Sequence, residues 1–280
     1  MIAYEARISE IIKSRHSCRT YLDQELPSEL FDAVQKECEA LREGVFKESV
    51  CFSFLDTKAA KTGALGDYGG FVKNYRYFVA GTIEKTDFSC ESYGYLLEQL
   101  VLKVTELGLQ SCWFGYFNNQ YFSSLLKSGE RLTPAIALVG LGASKATLKD
   151  RVARLYAKAR TRKPWEELFF QENLTVPLSK SKVGLYEEPL EMVRLAPSAG
   201  NLQPWRIIRE GNESMFHFYM KRIKKDYDRR HLHNVDIGIA MSHFELSLKE
   251  KNIGGVWKRL TPPNIQMPAD TDYRVSWIGT

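Results

Sequence analysis

The chain has 280 residues, of which 44% are hydrophobic and 26% charged, and it carries a net charge of +5 at pH 7. That composition excludes a disordered or fibrous chain and leaves room for one large domain or two smaller ones with a real core. The positive charge is spread along the chain, which suits an anionic small molecule and argues against a nucleic-acid partner.

Cys18, Cys38, Cys51, Cys90 and Cys112 are odd in number and lack the close pairs of zinc or redox motifs. Reduced thiols in a cytoplasmic protein are therefore expected, with no disulfide framework. The N-terminus sets Glu5, Arg7 and Glu10 among apolar residues, which reads as an amphipathic helix and as neither a signal peptide nor a membrane span. A soluble protein with no membrane partner is the expectation.

That first helix puts Tyr4, Ile8, Ile11 and Ile12 on one face and yields to Arg15-His16-Ser17-Cys18-Arg19-Thr20-Tyr21. If this stretch is extended, the period of two sets Arg15, Ser17 and Arg19 on one side; if helical, Arg15 and Arg19 still pair at i, i+4. Two guanidinium forks beside a hydroxyl match the oxygens of a phosphate monoester. The other reading of the same residues is a solvated arginine pair.

Leu26-Pro27-Ser28 opens a second helix with Leu30, Phe31, Val34, Cys38 and Leu41 on its buried face, and Val50 to Leu55 reads as a strand. Asp67-Tyr68-Gly69-Gly70 is a glycine loop too short of features to cradle a phosphate, and a strand follows from Tyr77 to Thr82. Lys73 and Arg76 are expected to face solvent. A long helix then carries Leu97, Leu100, Val101, Val104 and Leu107 at helical spacing into a turn, Gly108 to Phe117. Pro134 to Ala143 is an apolar run of strand length, followed by a helix around Leu148 to Tyr156 and the charged segment Arg160 to Leu168. Glu172 to Tyr186 is polar and reads as a linker.

Glu188-Pro189 starts a short helix with Leu190, Val193 and Leu195 on its apolar face, and Pro197 stops it because proline has no N–H to donate. Trp205 to Arg209 reads as a strand. Between them, Gly200 permits a turn denied to other residues, while Ser198, Asn201 and Gln203 offer donors and acceptors from a loop stiffened by two prolines. Such a loop is either a well-capped helix–strand turn or a surface preorganised to hydrogen-bond something flat and polar. Phe216 to Met220 alternates as a strand, and Lys221-Arg222-Ile223-Lys224-Lys225, diluted by Asp226 and Asp228, reads as a solvated turn. His231 and His233 have no third ligand at informative spacing, so no metal is expected. Ala240, Phe244 and Leu248 mark the buried stripe of another helix, on which His243 has a packing or hydrogen-bonding role, and Tyr273 to Ile278 is a final strand. Gly94, Leu102, Glu106 and Trp113 recur as Gly238, Leu246, Glu250 and Trp257 at a constant shift of 144 residues, which suggests a duplication.

Three patches resemble the FMN-dependent nitroreductase family. Ala196-Pro197-Ser198-Ala199-Gly200-Asn201-Leu202-Gln203-Pro204-Trp205 is similar to its flavin-facing loop, Arg15 to Arg19 to its N-terminal phosphate signature, and Leu109 to Tyr116 to its Gly-Leu-x-Ser-Cys-Trp turn. The resemblance implies FMN as cofactor, with Arg15, His16, Ser17 and Arg19 at the phosphate and Arg162 and Lys163 adding cations. It places the backbone of Gly115 and Tyr116 at flavin N5, and Pro197, Ser198, Ala199 and Asn201 against the isoalloxazine ring. Family members often have an acidic residue where this chain has Gly115. No catalytic side chain is implied, since FMN carries the redox chemistry.

The fold so implied is α+β, nitroreductase-like, a mostly antiparallel sheet wrapped by helices, here as two degenerate copies in one chain. Residues 1–170 would form the half with the phosphate clamp and residues 171–280 the half supplying the Pro-Ser-x-x-Asn loop. The first half has no such loop after its second helix, and the second has no Arg-x-Ser-x-Arg. One FMN per chain, bound between the halves of a monomer that acts as a pseudo-dimer, is therefore expected. The implied activity passes electrons from NAD(P)H to nitroaromatic, quinone or similar electron-poor compounds; the alternative is a flavin store or sensor without turnover.

Overall fold

The computed structural model describes residues 2–57, 64–65, 72–142, 161–211, 214–261 and 265–280. The glycine loop at 67–70 and the helix expected around 148–156 lie outside the described residues. The chain begins with helices α1 (Ile8–Ser14) and α2 (Ser28–Ala40), then β1 (Val50–Asp56), β2 (Tyr77–Ile83), the long α3 (Ser89–Glu106), β3 (Gln110–Phe114), α4 (Asn119–Leu126) and β4 (Ile136–Gly140). The four strands form one antiparallel sheet in the order β1-β2-β4-β3.

Beyond them come β5 (Phe169–Gln171), α5 (Lys180–Val183), α6 (Glu187–Leu195), β6 (Trp205–Arg209), β7 (Met215–Lys221), α7 (Lys225–Arg229), α8 (Leu232–Glu250), β8 (Gly255–Lys258) and β9 (Thr271–Gly279). Their sheet runs β5-β6-β7-β9-β8, antiparallel except where β5 lies parallel to β6. The order β6-β7-β9-β8 repeats β1-β2-β4-β3 strand for strand. Strand β5 straddles the 170/171 position and pairs into the second sheet.

Burial explains the composition of the elements. Strands β2 and β4 are continuous apolar runs because every residue in them is buried, whereas β1 turns Val50, Phe52 and Phe54 inward beneath α2 and leaves Cys51 exposed. Helices α3 and α8 are buried almost throughout, so a one-sided apolar stripe gives way to apolar residues on every face, with Glu98, His243 and Glu245 buried among them. They cross in contact with each other at two glycines. A Cβ at Gly94 would lie 2.2 Å from the Val235 carbonyl oxygen, and one at Gly238 would lie 1.9 Å from that of Glu91. The two contacts exchange under the same 144-residue shift that relates Gly94 to Gly238, so the crossing is self-complementary. Apolar residues from both sheets and both helices form one continuous core.

Two buried carboxylates of these helices are hydrogen-bonded, Glu98 on α3 and Glu245 on α8. The His243 ring lies 2.8 Å from Glu98 and 2.9 Å from the Met192 carbonyl, and Trp113 donates to the other Glu98 oxygen. Tyr95 and Trp257 both donate to Glu245. His243 is thus a hydrogen-bonding group of the interior, as expected from its place on the helix.

Three local expectations are corrected. Gln110 to Phe114, read as part of a turn, is strand β3, held by pairing with β4 despite its polar start. The polar stretch 172–186 contains α5 and buries Val183 and Tyr186, so it is not a plain linker. Arg76 does not face solvent alone: it forks onto Asp56 and reaches Glu25.

Candidate functional site

After α1 the backbone turns extended at Arg15, and Ser17 bridges Ser111 of β3 while Cys18 donates its amide to the Ser111 carbonyl. The heptapeptide carrying Arg15, Ser17 and Arg19 is therefore extended and not helical. All three face a cavity of about 550 Å³, together with His16. The far end of β3 contributes Trp113, Phe114, Gly115 and Tyr116 to the same cavity. Gly115 has a steric reason here: a Cβ would come within 2.5 Å of a Leu232 methyl group, so any side chain at this position would have to displace Leu232.

The loop after α6 forms the opposite wall. Ser198 to Asn201 makes a single tight turn in which Gly200 and Asn201 take left-handed φ values of 58° and 55°. The turn is locked from several directions. Ser198 Oγ accepts the Gln203 amide at 2.9 Å, Asn201 Nδ2 donates to the Thr161 carbonyl at 2.6 Å, and Arg162 donates to Asn201 Oδ1 at 3.0 Å. Arg162 also donates to the carbonyl of Leu195, the last residue of α6. Pro197, Ser198, Ala199, Gly200, Asn201 and Arg162 all line the cavity.

Lys163 does not. Its amide donates to Gln203 Oε1 at 2.9 Å and its ammonium pairs with Glu167 at 3.1 Å, so it braces the loop from outside. Thus eleven of the twelve residues expected at the site surround one cavity, although they come from stretches nearly two hundred residues apart.

The third wall escaped the sequence reading. Leu232, Val235, Asp236 and Ile239 project from the first turns of α8, and Tyr227 from α7. Their i, i+3, i+4, i+7 spacing marks one helix face, and an aspartate on an otherwise apolar face was the available signal. Asp236 Oδ1 accepts the Ala199 amide at 2.9 Å. Tyr227 packs edge-on to Tyr116 and would touch a side chain added at Gly200. The Tyr116 hydroxyl donates to Asp226, and the Arg230 guanidinium sits 4.3 Å from the Tyr116 ring centroid. Burial and the Asp226 carboxylate push the Tyr116 phenol upward. Helix α7 is therefore tied to both other walls.

Electrostatically the cavity is cationic. Arg15, Arg19 and Arg162 line it against one carboxylate, Asp236. Burial, and then the neighbouring cations Arg15 and Arg194, push Arg162 down to about 10. Arg15 Nη1 is buried with no hydrogen-bond partner. Crowded guanidinium groups with unspent donors are an arrangement that an oxyanion relieves.

The family model described as "Putative TM nitroreductase" matches residues 7–248 of this chain. The chain belongs to that nitroreductase family. A crystal structure of a "putative nitroreductase" from Thermotoga maritima is similar to this chain at 22% identity and a TM-score of 0.62, covering 99% of this chain and 96% of the other. The likeness shows a shared α+β fold of antiparallel sheets and helices. A nitroreductase family protein from Clostridium difficile aligns at 19% identity over 59% of this chain and 96% of its own, with a TM-score of 0.42. A nitroreductase with bound FMN from Desulfitobacterium hafniense aligns at 16% identity over 51% of this chain and 93% of its own, with a TM-score of 0.41. No curated protein matches. Among the described residues no helix is long and apolar enough to cross a membrane, and no cluster of His, Cys, Asp or Glu could hold a metal ion.

Proposed function

We propose that this protein is an FMN-dependent oxidoreductase that takes electrons from NAD(P)H and passes them to nitroaromatic, quinone or similarly electron-poor small molecules. The observation that carries the reading is the convergence of the Arg15–Arg19 segment, the Gly115–Tyr116 turn, Arg162 and the Pro197–Asn201 loop on one cavity of about 550 Å³, a size within the range of cofactor sites. When bound, FMN supplies the hydride chemistry. Arg15, Arg19 and Arg162 hold its phosphate, for which the orphaned Arg15 Nη1 and the crowded, buried Arg162 are suited. The rigid loop from Pro197 to Asn201 would orient the ring system, the Gly115–Tyr116 turn would line it, and Trp113, Leu232, Val235 and Ile239 would keep water from it.

The same reading gives one FMN per chain. The repeated strand order and the exchangeable glycine contacts favour two degenerate copies, residues 1–170 and 171–280, in a monomer that acts as a pseudo-dimer. A second cavity lies by the turn after α2, with Trp257 in the place that Trp113 has in the first. Its lining sets the carboxylates Glu43 and Glu245 against Arg42, which disfavours a phosphate. The five free cysteines favour a reducing, cytoplasmic location.

The test is titration of the purified chain with FMN, with solution mass measured on the same sample, followed by anaerobic mixing with NADH or NADPH and then a quinone. One FMN per monomer, bleached by the nicotinamide and restored by the quinone, is expected. A chain that takes up no flavin overturns the proposal, two flavins per chain overturn the single site, and uptake without bleaching makes the protein a flavin binder without turnover.

A further inference from the structure

Asp236 is a carboxylate where the cavity otherwise presents cations, hydroxyls and apolar groups. It is 2% exposed. Its Oδ1 accepts the Ala199 amide, and its Oδ2 is buried with no hydrogen-bond partner. Across 3.8 Å from Oδ2 lies Nδ1 of His233, also fully buried and without a partner. That gap is too long for a hydrogen bond and too short to hold a water between the two atoms.

The state of His233 follows from its other nitrogen. Nε2 faces the backbone amides of Ile223 and Lys224 at 3.4 and 3.3 Å. An atom that accepts from N–H groups carries no proton, so the ring proton sits on Nδ1, facing Asp236. A second proton on His233 would break both amide contacts, which hold the chain entering α7. The member of the pair with an open site is Asp236, and burial pushes its carboxyl above the usual range.

The other groups around the cavity offer no alternative base of this kind. Arg15 and Arg19 from the N-terminal segment and Arg162 before β5 offer donors and no acceptor; Tyr116 beyond β3 and Tyr227 on α7 offer hydroxyls; His16 is exposed. When two electrons enter this cavity, the negative charge they bring repels a carboxylate on its wall, and the cheapest response is for that carboxylate to take a proton.

Resting on the flavin reading above, we propose that Asp236 takes up one proton at Oδ2 as two electrons arrive from a nicotinamide donor. The O–H bond forms with a proton from solvent. It breaks when the electrons leave, and the proton goes with them to the oxygen of the nitro or quinone acceptor. Asp236 thereby holds the proton that accompanies the reducing equivalent, while its Oδ1 keeps the Ala199 turn in place.

The measurement is the midpoint potential of the FMN-loaded chain as a function of pH, by spectroelectrochemistry, for the wild type, Asp236→Asn and Asp236→Glu. For a two-electron couple each linked proton shifts the potential by about 30 mV per tenfold change in proton activity. The wild type should follow a two-proton slope, about 60 mV per pH unit, through the mildly acidic to neutral range. Asp236→Asn, which can still accept the Ala199 amide, should fall to the one-proton slope, and Asp236→Glu should recover the steeper one. Identical slopes for wild type and Asp236→Asn overturn the proposal. Should Asp236→Asn not load, protons taken up per flavin reduced are counted in the wild type with an indicator dye in weak buffer. With the nicotinamide as reductant, which brings one hydrogen as hydride, one proton drawn from solvent supports the proposal and none overturns it. A chain that never loads FMN fails at the titration, before any potential is read, and defeats the flavin reading itself.

Discussion

Replacing Gly238 by alanine tests the crossing of α3 and α8 on which the cavity's third wall stands. The added Cβ would lie 1.9 Å from the Glu91 carbonyl oxygen and 2.6 Å from the Tyr95 amide nitrogen, both backbone atoms of a buried helix. Neither can turn aside as a side chain would, so the helices must part by more than about 1 Å along a close-packed seam. Overpacking of this kind costs about 1–3 kcal/mol, with backbone against backbone at the upper end. Alanine offsets about 1 kcal/mol of that through its better helix propensity. The net loss is about 2 kcal/mol, or roughly 4 °C in Tm for a chain of this length. Gly94→Ala should cost a similar amount, because its Cβ meets the Val235 carbonyl oxygen at 2.2 Å. One separation of the helices relieves both clashes, so the double variant should lose less than the sum of the two. Equilibrium urea unfolding, read as a shift in midpoint at constant slope, gives each value. A Gly238→Ala protein as stable as the wild type, or additive losses in the double variant, would refute the reasoning.

Two further outcomes follow from individual contacts. Arg15→Ala should weaken FMN binding about 10- to 150-fold, the equivalent of about 1.5–3 kcal/mol for a charge-assisted contact. It should leave riboflavin binding nearly unchanged; equal weakening of both ligands in flavin titrations would place Arg15 away from the phosphate. Glu106 accepts the amides of Glu5 and Ala6 at 2.7 and 2.8 Å and the Lys103 ammonium at 2.7 Å. Burial pulls its carboxyl upward, but Lys103 and the two amides pull harder, so it is held below its ordinary value. A lowered pKa in the folded state stabilises above the unfolded carboxyl value of about 4.3 and is lost as pH falls through the folded one. Glu106→Gln should therefore cost about 1 kcal/mol at neutral pH and progressively less in acid. A difference in urea midpoint that stays constant from neutral to acidic pH would contradict this.

The local grammar of the chain carried much of the architecture. Val50 to Leu55, Tyr77 to Thr82, Trp205 to Arg209, Phe216 to Met220 and Tyr273 to Ile278 all lie within strands, because runs of alternating or continuous apolar residues have few other uses. The reading failed where tertiary pairing overrode composition. Gln110-Ser111 is polar, yet it becomes strand because β4 on one side and Ser17 on the other take its backbone hydrogen bonds. Helix α7 was not read from the sequence at all: it is ordered because Tyr227 and Asp226 reach Tyr116 and His233 holds the amides that lead in.

The order of residues along the chain set the chemistry on offer: two arginine forks flanking a serine, a stiff polar loop between prolines, and the shift of 144 residues that pairs Gly94 with Gly238. Each of these is a property of neighbours along the chain, or of identity at a fixed interval, and needs no third dimension. Only the tertiary structure decided that Arg15, Tyr116, Arg162 and Asn201 share one cavity while Lys163 stands outside it, and that Asp236 and Tyr227 complete the wall. The reason is physical. Which face of α8 meets the loop after α6 is set by two glycines that let helix backbones touch, and a contact of that kind between residues about 144 positions apart leaves no trace in the local pattern of either helix.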